Sequence, residues 1–548
     1  MTNRINNLRA SIRRRLSDER GFTMLLALFV LVLTTLILSG AFVAVLTDTH
    51  LSRNDLDQKR AYAAAQAGIQ AYNYQLNQNE NYWQTCTPIG TAASQKTVPG
   101  STDQGGGSET YYVTPLPATG VSACNSSNAL ATMIEGASAG SASGSFRIQS
   151  VGKSGNVQRT IVAQYKPPSF LNYVYYTDYE TTDPKALPGN PSDCEVHYPD
   201  RGPDCGGPIN FITGDSINGP LHSEDTLAIC GSPTLGRTAA DAVEAPAYVN
   251  ETGFSGGCSS DTPIMKGTYN SDATSITPPA DNSTLLSVAQ SGGYAYTGKT
   301  TIVLNNNTMS VTSPGTTSTA AHPTGPTVAY PSNGVIYVST ATAGCSVIYT
   351  PFNPSYSNDT NCGNAYISGN YTTSLTVATD NDIIINGNLT TPVNSSGVPT
   401  GNALLGLIAN DFVRVAHPVD GTASDISTDC NVNPPRSPTG VTNDSTALIN
   451  PTIYAAILAV NHSFIVDNYD CAGESPSLGT LFVYGAIAQL FRGPVGTGSS
   501  SGGATNGYIK SYNYDDRLQN EEPPYFLDPV SAQWYVSRET ECDLPSSC

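Results

Sequence analysis

The chain has 548 residues and a mass of 57.4 kDa, enough for several domains and a large core of its own. Charged residues make up 13% and hydrophobic residues 39%, which excludes a highly charged disordered chain. The formal charge is −19, and the first 60 residues hold nine basic and five acidic side chains, so the rest carries −23. A surface of that sign repels phosphate backbones, and we expect no nucleic-acid partner.

An uncharged apolar segment lies near the N-terminus. Residues 22–46 contain no charged side chain and would form a helix of about 37 Å, longer than the roughly 30 Å hydrocarbon core of a membrane. Six arginines and two acidic residues precede this segment, so the positive-inside rule predicts a cytoplasmic leader over residues 1–21. We expect a single-pass protein of the cell membrane whose C-terminal body is extracytoplasmic, at the cell surface.

The helical pattern continues beyond the apolar segment. Apolar or small residues recur mostly at steps of three and four from Leu51 to Leu76, and the first proline after the apolar segment is Pro88. The sequence therefore predicts one long helix within residues 22–80, transmembrane in its first half.

A motif stands at the start of this helix. A basic leader ends in Arg20-Gly21, and the apolar run opens with Phe22. This junction resembles the class III signal of type IV prepilins, and residues 63–69, AAAQAGI, are similar to a segment of PilX-like minor pilins. The resemblance implies that a prepilin peptidase cuts between Gly21 and Phe22, that Phe22 is N-methylated, and that the helix packs against other pilin-like subunits.

One position departs from the family pattern. Most members have a glutamate at the fifth mature position, where this chain has Leu26. The resemblance therefore implies a minor or tip subunit of a type IV pilus or related filament, and not its repeating subunit.

The segment after the helix predicts a small sheet. Residues 81–109 have a loop composition, and strand-like runs follow at 111–115, 146–151 and 157–165. We expect residues 81–166 to form a loop and a small pilin-like β-sheet packed on the helix, ending at Pro167-Pro168.

Residues 167–548 predict a large β-rich head. Four stretches, at 375–385, 405–415, 456–466 and 483–493, share the pattern strand, polar corner, strand. Aligning Ile383, Phe412, Phe464 and Leu490 gives steps of 29, 52 and 26 residues, the middle one holding an insertion near 417–450. Such a repeat favours a parallel β-solenoid, with a β-sandwich as the alternative and residues 507–538 as a C-terminal cap. The predicted fold class is thus mainly β with a long N-terminal α-helix.

The cysteines predict disulfide bonds that fix loops of the body. Twelve cysteines all follow the apolar segment, an even number on the oxidising side of a membrane. Pairing sequence neighbours gives one of several possible connectivities: Cys86 with Cys124, Cys194 with Cys205, Cys230 with Cys258, Cys345 with Cys362, Cys430 with Cys471, and Cys542 with Cys548. No C-x-x-C pair exists, so we expect no structural zinc site, and no motif indicates another metal or a cofactor.

One cluster of charged residues raises an enzymatic alternative. Asp380, Asp382, Asp411 and Arg414 are the residue types with which pectate-lyase-like proteins bind calcium and abstract a proton. Basic residues for an acidic polysaccharide are sparse around them, and aspartates at strand corners commonly accept backbone N–H groups. We therefore expect no enzyme and no catalytic residue.

The function expected from the sequence is presentation of a binding, adhesive head on a pilin-like anchor. The thirty tyrosines of the chain suit a surface carbohydrate or a protein ligand. The alternatives are an uncleaved single-pass surface protein and a membrane-tethered β-helix enzyme acting on polysaccharide.

Overall fold

The structure is a computed structural model that describes most of the chain. The described residues are 22–101, 108–134, 144–167, 169–187, 191, 194–202, 205, 209–250, 262–422, 424–426, 430, 441–471, 478–498, 504–530 and 534–542. Gly21, Cys258 and Cys548 therefore lie outside them.

The described residues are mainly β. The principal helices are α1 (Phe22–Gln78), α2 (Ala129–Met133) and α3 (Thr284–Gln290), with short 3-10 turns at Tyr82–Thr85, Ser126–Asn128, Phe170–Asn172, Pro184–Ala186 and Asp516–Gln519. The strands are β1 (Lys96–Thr97), β2 (Thr110–Leu116), β3 (Phe146–Ser154), β4 (Val157–Lys166), β5 (Tyr175–Thr182), β6 (Phe211–Ile212), β7 (Ser216–Asn218), β8 (Leu221–Ser223), β9 (Leu227–Cys230), β10 (Thr234–Leu235), β11 (Ala242–Glu244), β12 (Tyr248–Asn250), β13 (Ile264–Met265), β14 (Thr268–Asn270), β15 (Tyr294–Thr297), β16 (Thr300–Asn306), β17 (Thr308–Thr312), β18 (Gly325–Ala329), β19 (Val335–Ser339), β20 (Ala365–Tyr371), β21 (Leu375–Thr379), β22 (Ile383–Thr390), β23 (Leu405–Ala409), β24 (Val413–Val415), β25 (Val419–Asp420), β26 (Thr442–Asn443), β27 (Thr452–Ala459), β28 (Phe464–Val466), β29 (Thr480–Arg492), β30 (Gly496–Gly498), β31 (Ala504–Gly507), β32 (Ile509–Tyr514) and β33 (Tyr535–Cys542).

Helix α1 has two parts with different surroundings. It is rich in leucine and alanine and contains no proline, so nothing interrupts its backbone hydrogen bonds over 57 residues. The side chains of Thr23–Ala41 are exposed, whereas seven residues of the second part at helical spacing are buried: Ala61, Ala64, Ala65, Gly68, Ile69, Tyr72 and Leu76. One continuous helix, as the sequence predicts, thus carries an uncovered apolar part and a packed part.

The packed part of α1 lies against a five-stranded antiparallel sheet in the order β1-β2-β3-β4-β33. Strands β2, β3 and β4 lie at the predicted places. Strand β33 pairs with β4 from Tyr535 opposite Lys166 to Cys542 opposite Thr160. The final described strand therefore belongs to the small sheet, where the sequence predicts the end of a cap on the head, and the head is an insertion between β4 and β33.

The head is built mostly from strands that pair in parallel, and its antiparallel pairs are β16 with β17, β17 with β18, β25 with β26, and β30 with β31. The longest row runs β15-β19-β21-β23-β27-β29-β5-β8-β11-β14, and every neighbouring pair in it is parallel. A second parallel row runs β16-β20-β22-β24-β28, and a third runs β29-β32-β7-β10-β13. Stacked apolar residues of the longest row fill the core, and their successive partners are Ile336, Val377, Leu407, Ile457, Ile487, Tyr175, Leu221 and Val243.

The order of the strands in this row differs from their order in the chain. The chain enters at β5, in the middle of the row, and proceeds to β14 at one end. Residues 271–293 then lead to β15 at the other end, and the later strands return until β29 pairs with β5. We call the pairings of β29 with β5 and of β32 with β7 the seam, because they join the last strands of the head to its first.

Three of the four predicted strand-corner-strand stretches have that form. They are β21 with β22, β23 with β24, and β27 with β28. The fourth is wrong, since β29 is one continuous strand without a corner. In the observed register Ile383 pairs with Val413 and Val413 with Phe464, so the predicted alignment of Phe412 is off by one residue.

Four cysteine pairs lie at disulfide distance, and all four match the predicted neighbours: Cys86 with Cys124, Cys194 with Cys205, Cys345 with Cys362, and Cys430 with Cys471. The expected partners of Cys230 and Cys542 are outside the described residues. The bonded pairs fix loops onto both the small sheet and the head.

Candidate functional site

The first feature of functional interest is the exposed part of α1. Its segment Thr23–Ala41 has a mean hydropathy of 2.5 and is long and apolar enough to cross a membrane. Phe22 is the first residue of α1, and Leu26, one turn further on, is 55% exposed. The helix therefore presents an apolar surface that its own chain leaves uncovered in this segment.

The second part of α1 is held tightly to the small sheet. Ser150 Oγ donates a hydrogen bond to the carbonyl of Ala65 at 2.7 Å, and the Tyr165 hydroxyl donates to the carbonyl of Ile69 at 3.4 Å. A Cβ atom added at Gly152 would lie 2.1 Å from the carbonyl oxygen of Ala61, so this glycine lets the strand and helix backbones approach directly. These contacts fix the small sheet at one end of the exposed apolar segment.

The second feature is a cavity of about 470 Å³ in the head, half open to solvent. It lies at the corner between the long row and the second row, beneath the loop closed by the Cys345–Cys362 disulfide. The residues that line it are Lys185, Cys345, Val347, Ile348, Tyr349, Pro354, Ser355, Asp359, Cys362, Asn364, Asn381, Asp382, Asp411, Phe412 and Arg414.

The floor of the cavity is a bonded network around Arg414, which is 3% exposed. Its guanidinium group donates to Asp382 at 2.8 Å and to both carboxylate oxygens of Asp467 at 2.9 Å. The ring of Tyr349 lies 4.2 Å from the guanidinium carbon, and the hydroxyls of Tyr349 and Tyr356 donate to Asp467. Burial lowers the pKa of Arg414, but the charges of Asp467 and Asp382 outweigh it and raise the pKa, so this arginine stays protonated.

Three of the four residues of the predicted cluster, Asp382, Asp411 and Arg414, line the cavity, and each of the four has different partners. Asp382 accepts from Arg414 and from the backbone N–H of Phe412, and burial raises its pKa. Asp380 accepts from the Tyr337 hydroxyl and from the backbone of Thr340 and does not line the cavity. Only Asp411 is at the rim. Arg414 and Asp382 are thus bound to each other, and all three guanidinium nitrogens of Arg414 donate to carboxylates.

A second polar group, which we call the rim group, stands beside Asp411 and consists of Asp183, Lys185, Asp411 and His462. Nδ1 of His462 lies 3.0 Å from the buried carboxylate of Asp183, and its ring stacks on Phe412 at 4.5 Å. Nε2 of His462 lies 3.8 Å from Asp411 Oδ1, and Lys185 Nζ lies 3.9 Å from Asp411 Oδ2. The seam brings these residues together. Asp183 and Lys185 follow β5, and His462 lies between β27 and β28, while β29 pairs with both β5 and β27.

Sequence reasoning did not associate Asp183 and Lys185 with His462. They are more than 270 residues apart, and the strand pattern gives no sign that β5 lies beside β29. A local signal was present, because Asp183 precedes Pro184 and caps a turn by accepting from the backbone N–H of Lys185.

His222 is buried away from this cavity. Its ring nitrogens lie 2.8 Å from Glu224 and 2.9 Å from Glu244, while Asp225 pairs with Arg201. Burial alone would lower the pKa of His222, but the hydrogen bonds and charges of the two glutamates raise it above 6.5. Among the described residues no group of three or more His, Cys, Asp or Glu side chains is arranged to hold a metal ion.

No protein-family model matches the chain, and no curated protein matches it. Among solved structures it is similar to the competence-associated pilin ComZ from Thermus thermophilus, with 11% identity over 89% of this chain and 97% of that chain. The TM-score of this match is 0.31.

Proposed function

We propose that this protein is a pilin-like surface protein, a minor or tip subunit that carries a binding head on a filament helix. The observation that carries the proposal is the division of α1 into an exposed apolar part, Thr23–Ala41, and a part packed on a small antiparallel sheet. Such a helix is stable only where lipid or other apolar helices cover its first part. The Gly21-Phe22 junction supports cleavage by a prepilin peptidase and N-methylation of Phe22, after which the helix exchanges lipid for neighbouring subunits.

The proposal includes the form of the head. The parallel rows, with stacked partners such as Val377 and Leu407 thirty residues apart in sequence, support a β-solenoid. A β-sandwich is normally built from antiparallel sheets, so the pairing favours the solenoid over this alternative. A rigid stack of this kind would present its corner loops, with their disulfides, as a binding surface for adhesion.

The test is the processing of the full chain expressed with and without a prepilin peptidase. We expect a peptidase-dependent N-terminus at N-methylated Phe22, read by intact mass and N-terminal sequencing. Gly21→Val should block cleavage, because it places a branched side chain directly before the bond to be cleaved. Gly40→Ala is the matched control, since a Cβ there meets nothing within 4 Å and processing should continue. A chain that keeps its leader in the presence of the peptidase would contradict the pilin-like proposal and favour the uncleaved single-pass surface protein.

The same preparation tests the enzymatic alternative. Release of reducing ends or unsaturated products from polysaccharide by the full chain would support a tethered enzyme. The engagement of Arg414 by Asp382 and Asp467 favours a binding head without catalysis.

A further inference from the structure

The rim group leaves two hydrogen-bond acceptors facing each other. The carboxylate of Asp183 accepts a hydrogen bond from Nδ1–H of His462. In the neutral imidazole Nδ1 therefore carries the proton and Nε2 is an acceptor. Nε2 is 3.8 Å from Asp411 Oδ1, beyond hydrogen-bond distance. A partner that donates two hydrogen bonds fits between these two atoms.

A donor stands next to them. The ammonium group of Lys185 is 3.9 Å from Asp411 Oδ2, too far for a hydrogen bond, and its side chain is 42% exposed. The other contact of this carboxylate oxygen is the amide of Asn381, which donates at 3.3 Å. The rim group thus combines two acceptors with a partly exposed cationic donor. Asp411 and Lys185 line the cavity, and His462 stacks on Phe412, which lines it as well.

We propose that the rim group binds the hydroxyl groups of a neutral saccharide. Adjacent hydroxyls of a sugar ring donate to Asp411 and to Nε2 of His462, and one of their oxygens accepts from Lys185. Ile348, which lines the same cavity and is 84% exposed, supplies an apolar surface for the C–H face of the ring. A volume of about 470 Å³ is in the range of small-ligand sites.

The site is held in position before any ligand arrives. Asp183 fixes the ring of His462, Phe412 stacks against that ring, and the floor below Phe412 is the bonded network of Arg414. The disulfide between Cys345 and Cys362 fixes the wall that carries Ile348. Ordering of the site on binding therefore costs little, which favours affinity for a weakly interacting ligand.

The charges favour a neutral sugar over an acidic one. Asp359, Asp382 and Asp411 line the cavity, and Asp183 lies behind His462. The other nearby cations are occupied by carboxylates, Lys299 by Asp359 and Arg414 by Asp382 and Asp467. The body of the chain as a whole is strongly negative. A uronate would meet repulsion that the single Lys185 ammonium at the rim offsets only in part.

This inference rests on the proposed function in that it names the ligand class of the binding head. The test uses the full chain in detergent and saturation-transfer NMR with maltotriose, cellotriose, mannotriose, chitotriose and, as the acidic probe, trigalacturonate. We expect millimolar or tighter binding of at least one neutral trisaccharide. Asp411→Asn and Lys185→Met should each weaken that binding at least about tenfold, because each removes one charge-assisted hydrogen bond.

Matched controls are Asp272→Asn and Lys266→Met, which make the same changes at exposed positions near one end of the head and should leave binding unchanged. Thermal unfolding of each variant confirms that it is folded. Three results would each overturn the inference: no binding of any neutral sugar, preference for trigalacturonate, or unchanged binding in Asp411→Asn. The absence of any binding is expected if only water bridges the two acceptors. A chain that is processed at Gly21 yet binds no sugar fails this inference alone, and a chain that binds sugar without being processed fails the pilin-like proposal alone.

Discussion

Arg414 shows at the scale of one residue why a charged group in a cavity need not be catalytic. We expect Arg414→Met to lower the free energy of unfolding of the head by about 3–5 kcal/mol, because it leaves Asp382 and Asp467 buried without their cation. The measurement is the midpoint of chemical unfolding, followed by the near-ultraviolet circular dichroism of the tyrosines.

The control for this variant is Arg538→Met on the exposed edge strand β33, where we expect a change within about 0.5 kcal/mol. Equal effects of the two variants would show that the floor network contributes no stability of its own.

His222 should make the stability of the head depend on pH. Its raised pKa means that it stabilises the fold below pH 6.5, and this contribution is lost as the pH rises through the folded pKa. Burial raises the pKa of Glu224 and of Glu244, but hydrogen bonds from His222 outweigh it and lower both, so their contribution is lost as the pH falls through those lowered values. The cluster is therefore most stable at pH values above the lowered pKa values of Glu224 and Glu244 and below the raised pKa of His222.

The measurement is the unfolding midpoint at a series of pH values from 4 to 9, with His222→Gln for comparison. The glutamine retains hydrogen bonding but does not titrate, so the loss of stability on the alkaline side should become smaller. The remainder belongs to His197, whose pKa the hydrogen bond to Asp178 also raises. A wild-type midpoint that stays constant from pH 6 to 9 would contradict the assignment.

At the scale of elements, the contact of α1 with β3 depends on one glycine. We expect Gly152→Val to push the helix away from the sheet, since its side chain would meet the backbone of Ala61, Ala64 and Ala65 at 2.1 to 2.8 Å. Overpacking of this kind costs about 1–3 kcal/mol, and more when backbone must move. Hydrogen exchange of the second part of α1 should increase.

Thr114→Val is the matched control, because Thr114 is exposed on the neighbouring strand β2 and valine suits a strand. Protection of α1 in this variant should equal that of the unaltered chain. An undisturbed helix in Gly152→Val would mean that the sheet can yield at this point.

The elements that the sequence predicts are those with a local signal. The long helix follows from the absence of proline and from its apolar spacing, and the strands follow from apolar runs beside polar corners such as Asn410-Asp411. The continuity of β29 could not be predicted in this way, because Gln489 matches a polar corner but pairs as strand with Ala459 and Thr177. The same holds for β33, whose partner β4 lies more than 350 residues earlier.

The candidate site was predictable only in part, for a related reason. The repeat places Asp382 and Asp411 at neighbouring corners and Arg414 on the strand that follows, and the structure does bring Asp382 and Arg414 into contact. Their roles depend on Asp467, Tyr349 and the seam, which no local pattern reveals.

At the scale of the whole molecule, the seam should control cooperative unfolding of the head. Arg492 is buried there and donates to Glu180 at 2.7 Å across 312 residues of sequence, with the ring of Phe211 3.6 Å from its guanidinium carbon. We expect Arg492→Met to lower the free energy of unfolding of the head by about 3–5 kcal/mol at neutral pH, because the carboxylate of Glu180 is left buried without its cation. Hydrogen exchange should increase together in β5 and β29.

The control is Arg237→Met, whose partly exposed pairs with Asp241 and Asp516 should contribute at most about 1 kcal/mol. Protection in β19 and β21, at the far end of the long row, should be the last to fall in Arg492→Met. Loss of protection there first would show that the head unfolds from its end and not from the seam.

The insertion of the head between β4 and β33 also determines how the molecule bears mechanical tension. The chain leaves the small sheet after Lys166 and returns before Tyr535, and these residues are opposite each other in the antiparallel pair. A force pulling the head away from the small sheet therefore draws β4 and β33 in the same direction, and the hydrogen bonds between them carry little of it. The force passes to the ladder of β4 with β3, which has nine residue pairs, and from there to the helix packed against both strands. The head is thus attached through two chain segments, and the ladder of β4 with β3 and the packing of β4 on the helix hold it against tension.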